Sequence, residues 1–163
     1  MFFRRNKHSL PEAVKKYRAE RPLGWAELLP EGVVSAWSDQ LACFFADGTT
    51  LELEWSDIAN ARWDGDTHKL RISFVERNLA DLVLELSKNY DQVFLRAIRE
   101  RIDRSVVHQI FRDLPSGGKA TGQVRRNADE SLFTQVISDD VRTVADREAL
   151  EVLEAELREA VGL

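Results

Sequence analysis

The chain reads as an α+β protein: an antiparallel β meander closed by a helix, followed by further β strands and a C-terminal helix. Three observations predict this. From about residue 33 to residue 87 apolar residues recur with period 2, in short runs separated by turn residues. Around 90–103 and again around 144–161 the period becomes 3.6. Between these two stretches the period-2 pattern returns.

A short helix is expected before the first strand. Ser9 followed by Glu12 fits a capping box, and Pro11 suits a first turn. Leu10, Ala13, Val14 and Tyr17 fall at i, i+3, i+4 and i+7 and make one apolar stripe. Lys15, Lys16 and Arg18 complement the dipole at its end, and Pro22 with Gly24 stops it. The segments "VVSAW", "QLACFFA", "TTLELEW", "IANARW", "HKLRISFVE" and "DLVLELS" then read as strands, with hairpin signals at Asp47-Gly48 and Asp64-Gly65-Asp66. Leu51, Leu53 and Trp55 share one face, as do Leu70, Ile72 and Phe74, and Leu82, Leu84 and Leu86. The meander is therefore expected to bury one side.

In the helix at about 90–103, Asn89 and Gln92 are the candidate caps, and Phe94, Leu95, Ile98 and Ile102 form the apolar stripe. "SVVHQIF" resumes β structure and "PSGGKATG" is a loop. "QVRRN" and "LFTQVI" form a second hairpin around Ala128-Asp129-Glu130. The last helix, about 144–161, has Thr143 or Asp146 at its N-cap. Leu150, Leu153, Leu157 and Val161 make its stripe, and Gly162 ends it.

With 163 residues, 44% of them hydrophobic and 31% charged, the chain is one ordered domain's worth. The expected division is a basic arm with a short helix at 1–24 and a single α+β domain at 25–163. No apolar run approaches the ~20 residues that cross a bilayer, and the start lacks the apolar core of a secretory signal. The single cysteine, Cys43, makes no internal disulfide and suits a reducing compartment, so the expected location is cytoplasmic.

Few residues invite chemistry. His8, His68 and His108 have no carboxylate or cysteine at metal-ligand spacing, and Cys43 stands in an apolar strand, where thiols are inert. A Walker loop would need glycine at Asp113 and a hydroxyl at Ala120, so "PSGGKATG" is not one. Asp64-Gly65-Asp66 is too short for a calcium loop. Trp55 shares a face with Leu51 and Leu53 and belongs to the core, whereas Trp25, in a linker beside Gly24, is placed at a surface. Arg125 and Arg126 with Lys119 form a small basic cluster, read as a solvated hairpin tip. No metal, cofactor or catalytic residue is expected.

Trp55, Ile58, Trp63, Asp64, Gly65, Leu70 and Ile72, within "LEWSDIANARWDGDTHKLRISF", resemble the pattern of a small actinobacterial family of conserved hypothetical proteins. The resemblance extends over roughly residues 30–162 and implies a pleckstrin-homology-like barrel, a bent meander whose open end is plugged by a helix. Its motifs are core and turn residues and carry no chemistry. Small proteins of this kind resemble accessory subunits that travel with actinobacterial respiratory complexes, which implies a peripheral place on a membrane assembly.

Charge is split along the chain. Residues 1–21 carry seven Lys/Arg against Glu12 and Glu20, or +5, and the other 142 residues carry −10. An acidic body speaks against nucleic acid as a partner. Phe2 and Phe3 beside Arg4, Arg5 and Lys7 suit an anionic membrane boundary, where rings insert and cations meet headgroups. These five residues and Trp25 are the candidate binding residues for a membrane protein complex or an anionic membrane surface. The same arm also suits a groove on an acidic protein partner, or the domain's own acidic surface. Two other readings stay open. A small enzyme or ligand-binding protein requires a pocket that holds His68 or His108 with a carboxylate. A scaffold that self-pairs through the last helix meets opposition from the net charge of −5 beyond residue 138.

Overall fold

The structure is a computed structural model and describes residues 9–163. The elements, in order, are α1 (Glu12–Tyr17), β1 (Gly24–Glu27), β2 (Gly32–Ala36), β3 (Gln40–Phe45), β4 (Thr50–Glu54), a 3-10 turn (Trp55–Asp57), β5 (Ile58–Asp64), β6 (Lys69–Phe74) and β7 (Leu82–Glu85). They continue with α2 (Gln92–Ser105), β8 (Val106–Asp113), β9 (Lys119–Arg126), β10 (Leu132–Ser138) and α3 (Val144–Val161). The expected α+β class is present. The strands form three antiparallel sheets, ordered β1-β2-β3-β4, β5-β6-β7 and β10-β9-β8, and the sheets are not closed. Two compact units result. One holds the described residues up to Leu53 with Ala61–Ile72 and Asp81–Arg99, and the other holds Glu54–Asn60, Ser73–Ala80 and Glu100–Leu163.

In the first unit α1 begins later than the sequence suggests. Pro11 occupies the N-cap with φ −56° and ψ 146°, and no side chain caps the helix. The expected Ser9 capping box does not form, because a residue before proline is pushed out of helical space and Leu10 cannot enter a first turn. The Pro11 carbonyl instead accepts the N–H groups of Val14 and Lys15, both at 3.0 Å. The apolar stripe behaves as expected: Val14 is fully buried and packs with Leu10 and Tyr17 around Trp37, Ala42, Val33 and Phe44.

Strand β1 occupies a stretch read as linker. It pairs with β2 from Gly24↔Ala36 to Glu27↔Val33. Gly24 is needed there, since a Cβ would lie 2.7 Å from Cα of Phe94 at the start of α2. Just past β1, Leu28 bridges Leu86, and flanking bonds run from Leu29 N–H to the Glu85 carbonyl and from Ser87 N–H to the Glu27 carbonyl, each 2.9 Å. The two hairpin turns form as read. Asp47 Oδ1 accepts from the Thr49 N–H at 2.8 Å, and Asp64 Oδ1 accepts from the Asp66 N–H at 2.9 Å. The cap of α2 is Asp91, whose Oδ1 takes the Val93 N–H at 2.9 Å, and not Asn89 or Gln92.

The second unit is a helix on a three-stranded sheet. Leu114, Ala120, Val124, Leu153 and Leu157 form its core, with Ile110, Leu132 and Val136 against them. Gly122 lets α3 approach β9, because a Cβ would meet Leu157 Cδ1 at 2.7 Å. The ends of α3 are those expected: Thr143 Oγ1 accepts the Asp146 N–H at 3.0 Å, and Gly162 closes the helix with φ 71°. No helix among the described residues is long and apolar enough to cross a membrane.

Candidate interaction surface

Of the residues assigned to binding, Phe2, Phe3, Arg4, Arg5 and Lys7 lie outside the described residues, as does His8. Trp25 is half-buried in β1, opposite Ser35. What the structure does show is how the chain that follows the arm is held. Tyr17 sits against Trp37 and Phe44, with ring centroids 5.6 and 5.2 Å apart, and accepts a hydrogen bond from Gln40 Nε2. Arg18 grips Asp39 with two bonds of 2.7 and 2.8 Å and lies 5.1 Å over the Trp37 ring. That hydrogen bonding raises the Arg18 pKa and lowers that of Asp39. Lys15 pairs with Glu12 at 3.5 Å, and Arg18 also reaches Glu20 at 3.3 Å. Lys15 in α1 and Arg18 at its C-cap are thus engaged by the chain's own carboxylates.

The second basic cluster does not exist as read. Arg125 is fully buried, while Arg126 is exposed and Lys119 pairs with Asp113 at 2.8 Å. The Arg125 guanidinium donates to the carbonyls of Trp55 (2.9 Å) and Ile58, to Ser105 Oγ (2.6 and 3.0 Å) and to Gln135 Oε1 (3.2 Å). Desolvation pushes its pKa down to about 10, so it remains charged at neutral pH. Its role is to pin the 3-10 turn and the end of α2 to β9. Alternation along "GQVRRN" places Arg125 on the face away from α3, but only the three-dimensional arrangement supplies the carbonyls that make burial tolerable.

The remaining candidates are also placed. Cys43 is fully buried, and burial pushes its thiol up to about 12. His108 is exposed on β8. His68 is half-buried and packs against Trp63 and Tyr90, at centroid distances of 6.0 and 5.8 Å. Among the described residues no three His, Cys, Asp or Glu converge as metal ligands.

The "PSGGKATG" segment is half strand, since β9 begins at Lys119. Several of its donors are committed to the chain itself. Ser116 gives its N–H and hydroxyl to Asp146 (3.0 and 2.6 Å), Gly117 gives its N–H to the Leu114 carbonyl (2.9 Å), and Lys119 gives its N–H to Asp139 Oδ2 (2.8 Å). Beside it a cleft of about 510 Å³ is lined by polar residues including Ser138, Asp139 and Arg142. The Ser116 bonds hold the Asp146 carboxyl down at about 2. The buried Asp146 was singled out by sequence only as a possible cap; its tie to Ser116, thirty positions away, leaves no local signal.

Compared with protein-family models, curated proteins and solved structures, the chain matches none.

Proposed function

We propose that this chain is a non-enzymatic cytoplasmic interaction module, a peripheral accessory component of a membrane protein complex, docked through Phe2, Phe3, Arg4, Arg5, Lys7 and Trp25. A pleckstrin-homology-like arrangement of β1–β7 and α2, and a place beside a respiratory complex, belong to this reading through the family resemblance. Seven strands followed by a helix, with β1 bridged to the end of β7 at Leu28↔Leu86, support the arrangement.

The observation that carries the reading is a division of roles within the first twenty-one residues. Val14, Tyr17 and Arg18 are spent on the sheet beneath α1, which anchors the helix. Two aromatic and three basic side chains precede that anchor in sequence. A charged and aromatic segment tethered to a fixed helix supplies both apolar area and charge to an anionic surface, with each cation adding ~1 kcal/mol. Deleting residues 1–8 leaves every α1 contact described above in place. The expected result is loss of the protein from the membrane fraction of cells; an unchanged membrane fraction contradicts the proposal.

A further inference from the structure

Among the described residues, strand β8 is an edge of its sheet, with β9 on one side. Six of its eight residues are exposed, and Phe111 is 69% exposed, an unusual place for a phenylalanine. The direction of its main-chain groups follows from the hairpin. The Leu114 N–H donates to the Gly118 carbonyl at 2.7 Å, which makes that a hydrogen-bonded pair. Alternation then makes Arg112–Ala120 and Ile110–Gly122 the next such pairs. Gln109, Phe111 and Asp113 therefore turn their N–H and C=O groups away from β9. The Phe111 carbonyl is met by Arg112 Nη1 at 3.2 Å, a contact within the same strand. Only another extended chain matches such a row of alternating donors and acceptors.

We infer that the free edge of β8 pairs antiparallel with β8 of a second copy, about a two-fold axis at Phe111. The side chains select this occupant and this register. Arg112 is neutralised by Glu156 at 2.7 Å and Asp113 by Lys119 at 2.8 Å, so two copies meet without repulsion and no net charge calls for a charged partner. Centred on Phe111, the ladder sets Phe111 against the partner's Phe111 and Asp113 against the partner's Gln109, an acceptor facing an amide donor. A shift to Gln109 as centre would need Val107, where the register slips between Val106 and His108. A shift to Asp113 would face two aspartates and bring in Pro115, which has no N–H. Closed two-fold pairing also removes an open edge that otherwise invites aggregation.

Sedimentation equilibrium of the full chain over a range of concentrations tests this, together with Phe111→Lys, Phe111→Cys and Gln109→Cys. Phe111 is largely exposed, so its replacement leaves the fold intact, which circular dichroism verifies. The expected results are a monomer–dimer equilibrium for the unaltered protein and a monomer for Phe111→Lys. Mild oxidation of Phe111→Cys should give a covalent dimer at least tenfold faster than that of Gln109→Cys. Cys43 does not interfere, being fully buried. A monomer throughout, a dimer that survives Phe111→Lys, or equal cross-linking of the two cysteine variants overturns the inference.

Discussion

Both units hold a helix against a sheet, and they do so by different means. The six-residue α1 buries one side chain completely, Val14, and relies on Tyr17, on Arg18 over Trp37 and on the Arg18–Asp39 pair. The eighteen-residue α3 lays Leu153 and Leu157 over Gly122, where the missing Cβ lets the helix approach the strand. A helix of under two turns cannot stabilise itself, so it needs contacts that reach outward to the sheet. A long helix spreads its aliphatic stripe over a core. The first attachment therefore depends on a few polar and aromatic contacts at the surface, the second on packing.

This contrast is sharpened most strongly at Leu157. Leu157→Ala removes a fully buried side chain and should destabilise the protein by about 3–5 kcal/mol in urea unfolding, through lost burial and the cavity left behind. A loss under 1 kcal/mol would show that α3 is not held by packing. Next comes Arg125→Met, which keeps volume but strips the donors from the Trp55 and Ile58 carbonyls. About 2–4 kcal/mol should be lost, since a hydrogen bond from a charged donor contributes about 1.5–3 kcal/mol and methionine makes none.

A pH effect follows from Asp146. Its carboxyl, held at about 2 chiefly by Ser116, titrates below the ordinary value of about 3.9. The unfolded chain therefore takes up this proton first. The stabilisation is complete above about pH 5 and drains away as pH falls towards 2. Acid unfolding of Asp146→Asn should accordingly show a shallower pH dependence, and its deficit relative to the unaltered protein should narrow across that window. Parallel curves would contradict the assignment.

The smallest effect belongs to the other helix. The Arg18–Asp39 pair is partly exposed, with the two side chains 24% and 48% accessible. Arg18→Ala should cost under about 1 kcal/mol of global stability, while amide exchange in α1 accelerates. Exchange as slow as in the unaltered protein would mean that Val14 and Tyr17 suffice to anchor the helix.

The readability of these regions in the sequence follows the same contrast. The limits and caps of α3 were legible because Thr143, Gly162 and the leucine stripe are local signals. The turns at Asp47 and Asp64 were legible for the same reason. Strand β1 was not, because four residues beginning at glycine and running into Leu28-Leu29-Pro30 show no alternation. The start of α1 is not legible, because proline's effect on Leu10 outweighs the Ser9–Glu12 spacing. The burial of Arg125 is not legible either, since a buried arginine is tolerated only where distant segments bring carbonyls to it. The break between the sheet of β4 and that of β5 falls at the 3-10 turn of Trp55–Asp57, which the pattern "TTLELEW" conceals.

The most direct test of the proposed docking is co-sedimentation of the full chain with anionic and neutral vesicles at several salt concentrations. Binding to anionic vesicles should weaken as salt shortens the screening length to ~3 Å at 1 M. Arg4→Ala with Arg5→Ala should weaken binding and flatten that dependence. Phe2→Ala with Phe3→Ala should weaken binding but leave the salt dependence similar, because burial of apolar area is little affected by moderate salt. Equal, salt-insensitive retention of all three proteins, or no binding by the unaltered chain, would contradict an arm that docks on an anionic surface.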